Sequence, residues 1–121
     1  MRTIIGAALL FGAFSAPVQA QVYPVQGRWG QGASSEKGAI DCTGKRVIEF
    51  IGNQRTDSNG GVPAYRSRSV SPEGSSSFRI VDEFTTGQIG AGHTSYILRK
   101  IDSDHIEMAM EGGALKLQRC K

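Results

Sequence analysis

The chain has 121 residues and a net charge of +3, from 14 Lys and Arg against 11 Asp and Glu. That length suits a single domain, and so small an excess of positive charge does not make the basic stripe that follows a phosphate backbone. The two cysteines, Cys42 and Cys120, form no C-x-x-C redox pair and cannot by themselves complete a metal site.

Residues 1–20 read as a secretory signal peptide. Arg2 supplies the positive charge, Ile4 to Phe14 form an apolar run of eleven residues, and Val18-Gln19-Ala20 ends in the small-x-small pattern of a cleavage site. Such a run is too short to anchor in a bilayer, so the chain is expected not to span a membrane. The expected product, residues 21–121, is one domain, periplasmic or secreted. Cleavage removes Arg2, leaving 13 Lys and Arg against 11 Asp and Glu, a charge of +2. In an oxidising compartment the default reading of Cys42 and Cys120 is a disulfide; the alternative is two separate thiols. The bridge would close a loop of 78 residues, for which the chain-entropy model gives about 4–5 kcal/mol as an upper figure.

Beyond the leader no window keeps a helical period, and short alternating stretches are punctuated by Gly, Ser and Thr, which predicts an all-β chain. Gln21–Gln26 is extended at most. Arg46 to Ile51 reads as a strand with Ile48 and Phe50 on one face. Val47 and Ile51 make the other face apolar too, which suggests a central or doubly covered position. Thr56–Gly61, Ser71–Ser76 and Thr85–Gly92 read as loops. Val62 to Val70 reads as a strand whose Pro63 marks a start or an edge. Ser77 to Phe84 places Phe78, Ile80 and Phe84 on one face with Asp82 among them, and an inward carboxylate needs a partner or water.

The last third alternates most clearly. A three-residue turn at Asp102-Ser103-Asp104 would pair Ile101 with His105, Arg99 with Glu107 and Leu98 with Met108. A two-residue turn at Gly112-Gly113 would pair Glu111 with Ala114, Met110 with Leu115 and Met108 with Leu117. Both registers put Tyr96, Leu98, Met108, Met110, Leu115 and Leu117 inside. About one hundred residues in six to eight up-and-down strands close most economically into a small antiparallel β-barrel.

Val25-Gln26-Gly27-Arg28-Trp29-Gly30 opens the strand run with a Gly-x-Trp, and there the chain resembles lipocalins and their calycin relatives, including bacterial periplasmic barrels of the metalloprotease-inhibitor type. The resemblance implies that Trp29 closes one barrel end and that Arg119 of the last strand packs across it. Cys42, shortly after the tryptophan, is similar to the inhibitor group, although the spacing is longer than the inhibitors would lead one to expect. The residue-level alternative is that Trp29 is a large core residue beside a flexible glycine.

Catalytic chemistry is sparse. His93 and His105 are not brought together by the expected registers, and no Gly-x-Ser-x-Gly elbow or second inward carboxylate accompanies Asp82. Asp102, Asp104 and His105 are turn residues before they are cation ligands. No cofactor, metal, nucleic acid or enzymatic activity is therefore expected. Binding remains. Arg66 and Arg68 share a strand face as either a solvated surface or a partner contact, and with Arg55 and His93 could form a recognition rim. Tyr96, Met108 and Met110 could line an apolar pocket or simply fill the core. The leading expectation is an exported binding protein that engages a protein partner, such as a hydrolase or protease it inhibits, with Gln21–Gln26 as the segment that would enter an active site. The alternatives are a carrier of a small apolar ligand and an envelope structural or stress-related protein.

Overall fold

A computed structural model describes residues 21–32, 34–86 and 90–121. The expected signal peptide and Gly87–Ile89 of the glycine-rich stretch lie outside the described residues. Eight antiparallel strands follow one another in chain order: β1 (Gly27–Gln31), β2 (Val47–Ile51), β3 (Gln54–Asp57), β4 (Tyr65–Pro72), β5 (Ser77–Thr86), β6 (Gly90–Asp102), β7 (His105–Met110) and β8 (Gly113–Arg119). Each pairs with the next, and β1 pairs with β8, so the sheet closes into an up-and-down barrel.

Closure gives every strand one inward and one outward face. The inward set is Trp29, Ile48, Phe50, Ile80, Tyr96, Leu98, Ile106, Met108, Leu115 and Leu117, each at most 7% exposed. Burying each large apolar side chain contributes about 1.5–3 kcal/mol. The double apolar character of β2 does not mean that it is covered twice: Ile51 is 64% exposed, because a barrel strand has only one interior.

The β6–β7 ladder pairs Leu98 with Met108 and Arg99 with Glu107 as the alternation predicts, and Arg99 and Glu107 meet in an outer-face ion pair. The turn is tighter than expected, however. Asp102 Oδ1 accepts the backbone N–H of Asp104 at 2.8 Å, a side-chain turn that draws Asp102 itself opposite His105. The ladder slips between Lys100 and Asp102, and Ile101 is left 52% exposed at the bulge instead of pairing with His105. The β7–β8 register also differs. Met110 pairs with Gly113 and Met108 with Leu115, so the turn is Glu111-Gly112. Gly112 takes the positive φ of the turn (99°), while Gly113 (144°) opens the strand in a conformation closed to residues with a Cβ. The slip is two residues, so every side chain keeps its expected face.

Strand β3 begins where sequence assigns no element and runs into the expected Thr56–Gly61 loop. Its inward residues are charged: Arg55 faces Phe50 across the ladder and Asp57 faces Ile48, which erases the apolar alternation that announces a strand. Arg46 grips Asp57 with two hydrogen bonds, 3.0 and 2.6 Å. Burial of the Asp57 carboxyl opposes its charge, but these donors win and hold it below the ordinary carboxylate range. Strand β4 runs to Pro72 and β5 to Thr86, both past their expected ends, and His93 sits in β6 instead of a loop.

The connection from β1 to β2 is the longest. It crosses the outer face of β8, where Gln118 Nε2 donates to the Glu36 and Gly38 carbonyls at 3.0 and 3.1 Å, and Ile40 bridges to Cys120. The Cys42–Cys120 disulfide staples it there. Gly30 lies against the Cys42 sulfur, where a Cβ would collide, so the glycine after Trp29 is required by close approach.

Candidate functional site

Two regions gather polar chemistry, one inside the barrel and one outside. The inner one is built around Asp82, which β5 points inward between Ile80 and Phe84. It is fully buried and accepts three hydrogen bonds: Tyr23 Oη to Oδ1 at 2.7 Å, Arg55 Nε to Oδ2 at 2.8 Å and Tyr96 Oη to Oδ2 at 2.9 Å. The Arg55 guanidinium lies 3.9 Å from the Tyr65 ring centroid and 5.2 Å from that of Tyr96. Burial pushes both Tyr23 and Tyr96 far above the ordinary phenol value, with the Asp82 charge adding to it and Arg55 opposing, so both hydroxyls stay protonated and donate. Burial also works against the charge on Arg55, but the Tyr96 and Asp82 oxygens outweigh it and hold the guanidinium above its ordinary value. One carboxylate that gathers donors from the strap, β3 and β6 acts as a fastening between them.

Tyr23 comes from a strap that sequence treats as extended at most. Gln21–Gln26 is tied along its length. Tyr23 N–H donates to the Gly52 carbonyl at 3.0 Å, and the Gln26 amide exchanges two hydrogen bonds with Gly52. The Gln21 carbonyl accepts from Ser67 Oγ, and its side-chain oxygen accepts from Val70 N–H at 2.6 Å. The Tyr23 ring packs edge-on against Phe50 at 5.0 Å, and Val25 is 7% exposed. The strap is thus a ninth interior element, outside the sheet, with Tyr23 and Val25 turned inward. Beside it, Trp29 Nε1 donates to the Gln26 carbonyl, and the Arg119 guanidinium stacks 4.5 Å from the Trp29 ring.

The outer region lies on β4, β5 and β6. Arg66 and Arg68 both point to solvent. Arg68 Nη1 donates to His93 Nε2 at 2.9 Å and stands 3.7 Å from Glu83, while Arg66 is the cross-strand neighbour of Glu83. Because a guanidinium only donates, His93 Nε2 is the acceptor in this contact. Next to these groups is a hollow of about 490 Å³ lined by the apolar Pro63, Ala64, Tyr65, Phe84 and Ala91 and by the polar Gln54, Arg66, Glu83 and Thr85. Tyr65 and Phe84 meet edge-to-face at 5.4 Å, and Phe84 covers Gly92, where any Cβ would strike the ring.

Of the expected recognition rim, Arg66, Arg68 and His93 converge. Arg55 does not join them, because Asp82 draws it into the interior, where it is 1% exposed. Tyr96 and Met108 are at most 2% exposed and Met110 packs on the same core, and among the described residues they line none of the four main hollows. Tyr23 and Ser67 escaped the sequence reading. The signal for a cation was present in Asp82, whose inward position demanded a partner. No helix among the described residues is long and apolar enough to cross a membrane, and none of their His, Cys, Asp and Glu side chains form a cluster of three that could hold a metal. The chain matches no protein-family model, no curated protein and no solved structure.

Proposed function

We propose that this is an exported, non-enzymatic protein that binds a protein partner in the envelope or outside the cell, and that the partner is a hydrolase it inhibits. The observation that carries this reading is the end of β4–β6, where Arg66, Arg68, Glu83 and His93 on the outer face border a hollow of mixed lining walled by Tyr65 and Phe84 from the inner face. Charged groups at the rim of an apolar patch set orientation and exclude wrong partners. The leader-like residues 1–20, the disulfide and the likeness of the Gly27-Arg28-Trp29 segment to calycin inhibitors point the same way. We put the contact on this face and not on Gln21–Gln26, since Tyr23 would have to leave Asp82 before the strap could enter an active site.

The test is inhibition of a panel of secreted proteases and cell-wall hydrolases by the disulfide-bonded protein. We expect at least one enzyme to respond, and the triple variant R66A/R68A/H93A to inhibit it at least tenfold more weakly, with Y23F unchanged. A panel with no response sinks the inhibitor reading. A triple variant as potent as the native protein moves the contact elsewhere.

A further inference from the structure

Two buried polar atoms among the described residues have no hydrogen-bond partner, His105 Nε2 and Gln118 Oε1. They belong to directly opposed residues, since His105 of β7 pairs with Gln118 of β8. Both lie on the outer face beneath the segment Ser34–Ile40, and each is oriented by its other polar atom. Asp102 Oδ1 is 2.8 Å from His105 Nδ1, so the Nδ1 proton belongs to that contact. The Gln118 amide nitrogen is committed to the Glu36 and Gly38 carbonyls, which fixes its oxygen on the opposite side. With a neutral imidazole, Nε2 presents a bare lone pair beside a second bare acceptor, under a segment that excludes water. Orphaned acceptors are destabilising when nothing donates to them. A proton on Nε2 turns one of the two acceptors into a donor and faces it to the Ser34 backbone of the crossing segment.

We propose that His105 is a pH-operated clasp: protonated, it holds the crossing segment Ser34–Ile40 against the β7–β8 face, and deprotonated, it lets that segment lift. The charged groups around it favour the closed form. Asp102 and Asp104 of the β6–β7 turn carry the opposite charge, Asp104 also accepting Gly38 N–H at 3.0 Å, while Arg119 of β8 stands 3.7 Å from Asp104. Arg99 of β6 is neutralised by Glu107 of β7, Lys116 of β8 is exposed, and Glu36 and Lys37 of the crossing segment point to solvent. The hydrogen bond to Asp102, and its charge, hold the imidazole above its ordinary value of 6.5. A raised folded value means stabilisation that is fully present below about 6.5 and lost as pH rises through the folded value. The clasp is therefore closed in mild acid and opens in mild alkali. A hollow of about 430 Å³, walled by Gly32, Ser34, Ile101, His105 and Lys116, adjoins it and would widen on opening. The proposal stands independently of the partner surface on β4–β6.

The experiment is amide hydrogen exchange on the native, disulfide-bonded protein at pH 5.5 and 8.5, corrected for intrinsic exchange, with the His105 ring nitrogens followed by NMR. We expect protection of 34–41 to fall at least tenfold at the higher pH while the β4–β6 ladder is unchanged, with the same midpoint as the Nε2 signal. H105Q should remove the pH response, and D102N should move the midpoint down. The proposal fails if native protection is equal at both pH values, if H105Q keeps the response, or if Nε2 titrates with no change in 34–41. The native titration alone decides the matter should H105Q not fold.

Discussion

The barrel interior has two halves that are held together by different physics. Around β6, β7 and β8, Leu98, Ile106, Met108, Leu115 and Leu117 form an apolar half in which each contact is small and replaceable. Around β3 and the strap, Asp82, Arg55, Tyr23 and Tyr96 form a polar half in which three donors converge on one carboxylate. An apolar cluster tolerates a shape change by repacking. A buried charge tolerates no missing partner, because desolvation has already removed the water that would replace it. The polar half is therefore the more brittle one, and it is what ties the strap to the barrel.

That contrast breaks hardest at Arg55. Arg55→Met should cost about 3–5 kcal/mol in urea unfolding, because Asp82 keeps only two neutral donors. The double variant R55M/D82L should recover much of that loss; if it is as unstable as the two single losses summed, the pair is not acting as a unit. In the apolar half, Leu98→Ala should cost about 2–5 kcal/mol, whereas Leu98→Met, which conserves volume, should stay under about 1.5 kcal/mol. Equal penalties for L98M and R55M would erase the distinction between the halves. Tyr23→Phe removes one donor and keeps the ring on Phe50, for about 1–3 kcal/mol. Its exchange signature should be local, at Tyr23 N–H bonded to Gly52 and at Val70 N–H bonded to Gln21. At the weak end, Glu107→Gln on the outer face should change stability by about 0–1 kcal/mol, since Arg99 is half exposed and water replaces its partner.

The same contrast decides what could be read from sequence. The apolar half was legible because inward Leu and Met alternate with outward Arg, Glu and Lys. Even the two-residue slip in β7–β8 preserved its faces. The barrel and the Cys42–Cys120 bridge followed from strand count and cysteine arithmetic. Strand β3 was hidden because Arg55 and Asp57, its inward residues, carry charge, so the pattern that marks a strand is inverted. The strap was hidden because Val22 and Pro24, which alternate with the inward Tyr23 and Val25, are apolar as well, so its two faces look alike in sequence. On the outer face, Arg66 and Arg68 could be assigned to one side of a strand, but the approach of His93 depends on the pairing of β5 with β6, a long-range fact. The two-residue turn that pushes Ile101 out rests on the Asp102 carboxylate, which accepts the Asp104 N–H and meets His105 Nδ1.

Closure of the sheet through β1 and β8 has a consequence for how the protein comes into being. The seam joins Trp29 to Arg119 and Gly30 to Gln118, so the first strand made waits for the last. A chain emerging from a ribosome or a translocon can form the β4–β5–β6 meander early, from neighbours in sequence, but the circle stays open until Cys120 has cleared the exit. Until then the β8-facing edge of β1 and the Cys42 thiol are unpartnered, and anything that captures either of them competes with completion of the barrel.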